Sequence, residues 1–178
     1  PQRLRQINQE KLQAMGVPSD LVAKFLDHPS YSPTHATIIV SSLESLSGAK
    51  GRDSFIQVAL LADDEETANF FQNMAETMKG YQLKAAPIRE ISGRGPVVFA
   101  KAANGVVLVP FPLDHGVWTE RASQRIPDAF GKYKASNPGV KKYEVWVTGT
   151  VSKRAADEMK KLGVQVVENV DKRIEFAY

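Results

Sequence analysis

The sequence predicts an α/β protein in which an all-helical amino-terminal segment precedes a mixed sheet with the element order βββαβαβ. Two observations carry this prediction. Apolar residues recur at helical spacing through residues 1–82, whereas residues 83–178 contain short runs of branched and aromatic side chains separated by turn residues. We therefore expect a helical segment over residues 1–82 and a mixed α/β domain over residues 83–178, which pack as two units or as one compact unit.

Apolar spacing predicts five helices in the amino-terminal segment. Four of them are expected at 4–15, 18–26, 34–46 and 65–78, and the last is expected to end before Gly80. The fifth candidate, the apolar run Asp53–Leu61, fits a buried helix or a buried strand, because periodicity alone does not separate the two. We favour the helix.

Four consecutive acidic residues, Asp63 to Glu66, stand where the last of these helices begins. Such a cluster could bind a cation. It is also what the positive end of a helix dipole favours, and we favour this second interpretation.

The second part of the chain opens with a predicted antiparallel meander of three strands, Ile88–Ile91, Pro96–Ala102 and Val106–Phe111. The pair Asn104-Gly105 separates the last two strands, and both residue types tolerate the positive φ of a type I′ turn. A helix capped by Asp114 and carrying Val117 to Phe130 at helical spacing is expected to follow.

The last forty residues predict a strand, a helix and a strand, at Tyr143–Thr148, Ser152–Leu162 and Val164–Val167. Elements joined so closely are expected to form a right-handed parallel crossover. A turn at Asp171-Lys172 then leads to an expected edge strand, Ile174–Tyr178.

Composition limits the classes of function. The chain has 178 residues and no cysteine, so it forms no disulfide, and its longest apolar runs are far shorter than a membrane span. We expect a soluble protein without membrane insertion, either cytoplasmic or exported after removal of a signal peptide.

Residues 1–89 carry a net charge of −1 and residues 90–178 carry +4, giving the +3 of the whole chain. This asymmetry suggests an anionic partner or a solvated surface, and we favour the solvated surface.

The strongest candidate site is the junction between the predicted strand and helix near residue 150. Here Gly149, Thr150, Ser152, Lys153 and Arg154 are the predicted anion-binding residues. The glycine allows a close turn, the first free N–H groups of the helix would face a crevice, and the serine would either cap the helix or bind an oxyanion. The Walker and dinucleotide-binding patterns are absent. An ordinary turn with a serine cap is the alternative that we favour.

Catalytic groups are harder to assign. Asp114 and His115 could supply an acid or a base, but the sequence shows no nucleophile or metal ligand beside them. Neither His28 nor His35 has a second ligand at zinc-motif spacing. We expect no metal and no cofactor.

These observations favour a non-catalytic binding or assembly module of a soluble, bacterial-type protein, with a second copy, another protein or a small anion as its partner. The alternative is a hydrolase or transferase acting on an anionic, phosphorylated small molecule at residues 149–154. Nucleic-acid binding through the basic carboxy-terminal half is less favoured, because +4 is modest and the basic residues are not interleaved with exposed aromatic ones.

Overall fold

The computed structural model describes residues 2–177 and has three layers, with a sheet between two layers of helices. Five helices cover one face of the sheet: α1 Gln2–Ala14, α2 Ser19–Leu26, α3 Pro33–Ser45, α4 Arg52–Ala59 and α5 Glu65–Lys84. Two helices cover the other face, α6 Glu120–Ser136 and α7 Lys153–Lys161. The run from Asp53 to Leu61 is therefore helical up to Ala59, as favoured.

The main sheet has five strands in the order β1-β2-β3-β5-β7. Their bounds are β1 Ile88–Arg94, β2 Val97–Ala102, β3 Val106–Phe111, β5 Lys142–Val147 and β7 Val164–Val167. The first three strands form the antiparallel meander, and β3, β5 and β7 run parallel. The predicted α/β fold with a mixed sheet and a helical amino-terminal segment is confirmed.

Each face of the sheet has its own hydrophobic core. Alternate side chains of β2 point to opposite faces, so that Val98 and Ala100 pack with the amino-terminal helices while Val97 and Phe99 pack with α6 and α7. Phe99 stacks on Tyr133 of α6 with ring centroids 4.2 Å apart. One core therefore joins the amino-terminal helices to the sheet, and the division of the chain near residue 82 stays a prediction.

Local hydrogen bonds explain where α5 begins. Asp64 is its N-cap, and the Asp64 carboxylate accepts a hydrogen bond from the backbone N–H of Thr67. This hydrogen bond lowers the pKa of Asp64. The favoured interpretation of the acidic cluster, stabilisation of a helix start, agrees with this cap.

The predicted end of α5 at Gly80 is wrong, because the helix continues to Lys84. A Cβ at position 80 would lie 2.7 Å from side-chain atoms of Ile174. The glycine is explained by close packing across the helix surface rather than by a helix stop.

The turn between β2 and β3 forms where expected but has another geometry. Gly105 has a φ of +86°, whereas Asn104 is not in the positive-φ region that a type I′ turn requires of both residues. The Asn104 side chain instead accepts a hydrogen bond from the N–H of Val106.

The start of α6 also differs from the prediction. Thr119, not Asp114, is the N-cap, and its hydroxyl accepts from the N–H of Ala122. The residues before it are extended, and His115–Gly116 form a short strand, β4, that pairs in parallel with Thr150–Val151, β6. Backbone pairing between two loops thus replaces the expected first turn of the helix.

Of the expected edge strand Ile174–Tyr178, the structure describes residues 174–177, and these form no strand. Tyr178 lies outside the described residues. After β7, Asn169 adopts a left-handed conformation and Val170–Lys172 form a 3-10 turn that directs the chain away from the sheet edge. Residues Arg173–Ala177, which we call the C-terminal strap, then pack along α5. Ile174 is buried there, and Phe176 packs against the same core.

Candidate functional site

The predicted anion-binding loop is paired with the loop that follows β3. The N–H of Gly149 donates to the carbonyl of Leu113 at 2.8 Å, and the N–H of Thr150 donates to Asp114 at 3.1 Å. A Cβ on Gly149 would lie 1.9 Å from the carbonyl oxygen of Asp114. Glycine is therefore required here for two backbones to approach each other.

The remaining amides of this loop also have protein acceptors. The N–H of Ser152 donates to Gly116 at 2.8 Å, and the N–H of Val151 donates to the Glu168 carboxylate at 2.8 Å. Ser152 caps α7 by accepting from the N–H of Ala155 at 3.1 Å. The chain itself thus supplies an acceptor for each of the amides 149–152, and the anion-binding role of this loop and of the first turn of α7 stays a prediction.

The other predicted site residues are only partly brought together. His115 Nδ1 lies 2.8 Å from the hydroxyl oxygen of Thr150, and both side chains are exposed. Lys153 and Arg154 lie on the exposed surface of α7. The geometry thus provides one histidine–hydroxyl contact at the carboxyl edge of the sheet, with Asp114 exposed in the adjoining loop.

A second cavity lies elsewhere, between α3, α5 and the C-terminal strap. This groove has a volume of about 740 Å³. Its apolar lining includes Ile38 of α3, Leu83 of α5 and Phe176 of the strap. We call it the α3–α5 groove.

Two contacts fix the strap as one wall of this groove. Ile174 fills the space that the missing side chain of Gly80 leaves free, and the N–H of Ala177 donates to the Glu76 carboxylate at 2.5 Å. Because Ile174 meets residue 80 and Ala177 meets residue 76, the strap runs antiparallel to α5.

The groove contains a buried carboxyl group. Glu76 is only 5% exposed and also accepts from the Gln72 amide at 3.2 Å. Burial raises the pKa of Glu76, and the hydrogen bonds from Ala177 and Gln72 and the charge of Lys79 oppose that rise. A buried, perturbed carboxyl group in a cleft is typical of functional sites.

Cationic side chains line the groove at the carboxyl end of α5. Lys84, Lys172 and Arg173 are exposed, and none of them forms an ion pair with a residue in the 2–177 range. Leu83 stands among them with 75% of its surface exposed. Apolar and cationic surfaces are therefore adjacent at this end.

Sequence reasoning missed this groove, because its walls come from segments more than a hundred residues apart in the chain. One available signal was a glycine inside the apolar stripe of α5, since a helical glycine often marks close packing. The alternation of Ile174 and Phe176 with charged residues was a second signal. The same alternation is typical of an edge strand.

A smaller pocket of about 60 Å³ lies between α6 and α7 and is lined by apolar side chains, among them Leu113, Val117 and Met159. Across residues 2–177, no three His, Cys, Asp or Glu side chains are grouped as they would be around a metal ion. None of the helices described in this range has the length and apolarity needed to cross a bilayer.

No protein-family model matches this chain, and no curated protein or solved structure matches it either.

Proposed function

We propose that this protein is a non-catalytic binding module and that the α3–α5 groove is its binding site. The observation that carries the proposal is the combination, in one groove, of an apolar lining with an exposed cationic end. A ligand that contacts both surfaces would gain apolar burial and electrostatic attraction at once.

The size of the groove and the exposure of its walls support this proposal. Its volume of about 740 Å³ falls within the range typical of small-molecule sites, roughly 300–1,000 Å³. Leu83 is the most exposed of the large apolar side chains on the described surface. A bound ligand would cover it and remove its unfavourable contact with water.

The proposal is tested by titrating the full chain with 8-anilinonaphthalene-1-sulfonate, a fluorescent probe that is both apolar and anionic. We expect saturable binding that Ser41→Trp abolishes, because Ser41 lines the groove and an indole would fill it. Ser123→Trp is the matched control. Both serines are exposed helical residues whose hydroxyls donate to the carbonyl three residues earlier.

Light scattering of the same variants identifies a macromolecular occupant. If a second copy covers the groove, Ser41→Trp should dissociate a dimer that Ser123→Trp leaves intact. A monomeric protein whose probe binding is identical in the two variants would contradict the assignment of the groove.

The contact between His115 and Thr150 favours a second candidate function, a hydrolase or transferase for a phosphorylated small molecule. A histidine within hydrogen-bond distance of a hydroxyl is the arrangement in which a base activates a nucleophile. Hydrolysis of p-nitrophenyl phosphate that His115→Gln abolishes and His35→Gln leaves unchanged would support this function. Equal rates with and without protein would remove it.

A further inference from the structure

We propose that the ligand of the α3–α5 groove is a single-chain amphiphile with an anionic headgroup, bound with the headgroup at Lys84, Lys172 and Arg173. This inference rests on the proposed binding function and names the chemical class of the ligand.

The contact between Gly80 and Ile174 divides the groove into two ends of opposite character. Because the strap runs antiparallel to α5, residues 172 and 173 fall beside the carboxyl end of that helix, where Lys84 lies. Three cationic groups therefore converge at one end. An anionic headgroup placed there would have charge-assisted hydrogen-bond donors from both walls.

The other end of the groove disfavours an anion and suits an apolar chain. Glu76 and Glu175 lie there, on the far side of Ile174, with Lys79 as the cation beside them. α3 runs parallel to α5, since the His35 ring contacts Asn69 and the Gln82 amide donates to Ser45. Ile38 therefore lies near the level of Glu76.

Apolar contacts continue from the cationic end into the groove. Leu83 lies beside the cationic groups, and Ile38 and Phe176 line the far end. An apolar chain attached to the headgroup would run along this lining. The arrangement orients the ligand, because only one end of the groove attracts an anion.

The groove shape of the site favours a free amphiphile over a membrane surface. The strap covers α5 and is fixed by a buried isoleucine and by the hydrogen bond to Glu76, so the ligand site has walls on both sides. A bilayer would instead need the cationic groups on an open, flat surface.

Isothermal titration of the full chain with dodecyl phosphate, below its critical micelle concentration, tests the proposal. We expect one site per chain and a Kd about tenfold higher, equivalent to about 1.4 kcal/mol, for the triple variant Lys84→Gln, Lys172→Gln, Arg173→Gln. Three exposed ion pairs typically contribute this much together. The control triple variant, Arg3→Gln, Lys24→Gln and Lys141→Gln, removes the same charge from exposed residues outside the groove.

Two further ligands separate failure of the ligand class from failure of the binding function. If neutral dodecyl maltoside binds as tightly as dodecyl phosphate and Ser41→Trp blocks both, the groove binds apolar chains and the anionic class is wrong. If no amphiphile and no naphthalene sulfonate binds, the binding function is wrong as well. Co-sedimentation with phosphatidylglycerol vesicles without binding of monomeric dodecyl phosphate would overturn the proposal in favour of a membrane surface.

Discussion

Replacing Gly80 with alanine should detach the C-terminal strap and destabilise the protein, although the same change in an unobstructed helix stabilises it. An added Cβ would lie 2.7 Å from three atoms of Ile174, which is too close for any rotamer of that side chain to relieve, because one of the three atoms is its own Cβ. The strap must therefore move away from α5.

The magnitude follows from what the strap contributes. Removing Ile174, 7% exposed in the fold, from its packed position costs roughly 1.5–3 kcal/mol. Losing the hydrogen bond from Ala177 to Glu76 costs roughly 1 kcal/mol, and alanine in place of a helical glycine returns about the same amount. We expect a net loss of roughly 1.5–3 kcal/mol, or roughly 3–12 °C in the melting temperature of a chain of this length.

Urea denaturation followed by circular dichroism measures the change, with Gly131→Ala as the control. Gly131 lies inside α6 with no atom within 4 Å of its added Cβ, so that variant should be more stable than the parent by about 1 kcal/mol. Trypsin should cut Gly80→Ala faster after Lys172 and Arg173. If Gly80→Ala is as stabilising as Gly131→Ala, the close packing of the strap is refuted.

Three other predictions concern Glu76 in α5, the loop at Gly149 and the N-cap of α7. Burial raises the pKa of Glu76 above its ordinary value of 4.5, so the contribution of Glu76 to stability is full below that pH and is lost as pH rises through the raised pKa. The melting temperature of Glu76→Gln relative to that of the parent should therefore increase between about pH 4 and pH 7. A difference that stays constant with pH would contradict this. Gly149→Ala should lower stability by roughly 2 kcal/mol or more, measured by urea denaturation, because its Cβ would collide with the Asp114 backbone; an unchanged midpoint would show that the two loops separate without cost. Ser152→Ala should cost about 1 kcal/mol through loss of the α7 cap, with Ser152→Asp retaining the parent's stability, and equal losses in both variants would argue against capping.

Periodicity predicts the sheet well, because strands β2, β3 and β5 bury side chains on both faces and appear as short apolar runs bounded by turn residues. The errors arose where the same pattern has two causes. Alternating burial of Ile174 and Phe176 is produced by an extended strap on a helix as well as by an edge strand. Gly80 illustrates the same ambiguity, since close packing and a helix stop both require glycine.

The candidate site was harder to predict, because hydrogen-bond partners distant in sequence decide whether an amide is free. The sequence predicts a strand to Thr148 and a helix from Ser152, whereas in the structure Thr150–Val151 form the short strand β6 and α7 begins at Lys153. The amides of residues 149–152 are occupied by the loop after β3 and by Glu168, which the local sequence does not show. The groove depends on even longer separations, and of its cations only Lys172 and Arg173 belong to the basic excess of residues 90–178.

The two regions are connected through the backbone. The carbonyls of Thr148 and Gly149 accept hydrogen bonds from Asp171 and Asn169, and these contacts hold the turn that directs the strap along α5. The predicted anion-binding loop thus positions the segment that carries Lys172 and Arg173. Pairing between the loops that follow β3 and β5, at the carboxyl edge of the parallel strands, therefore helps to position one wall of the α3–α5 groove.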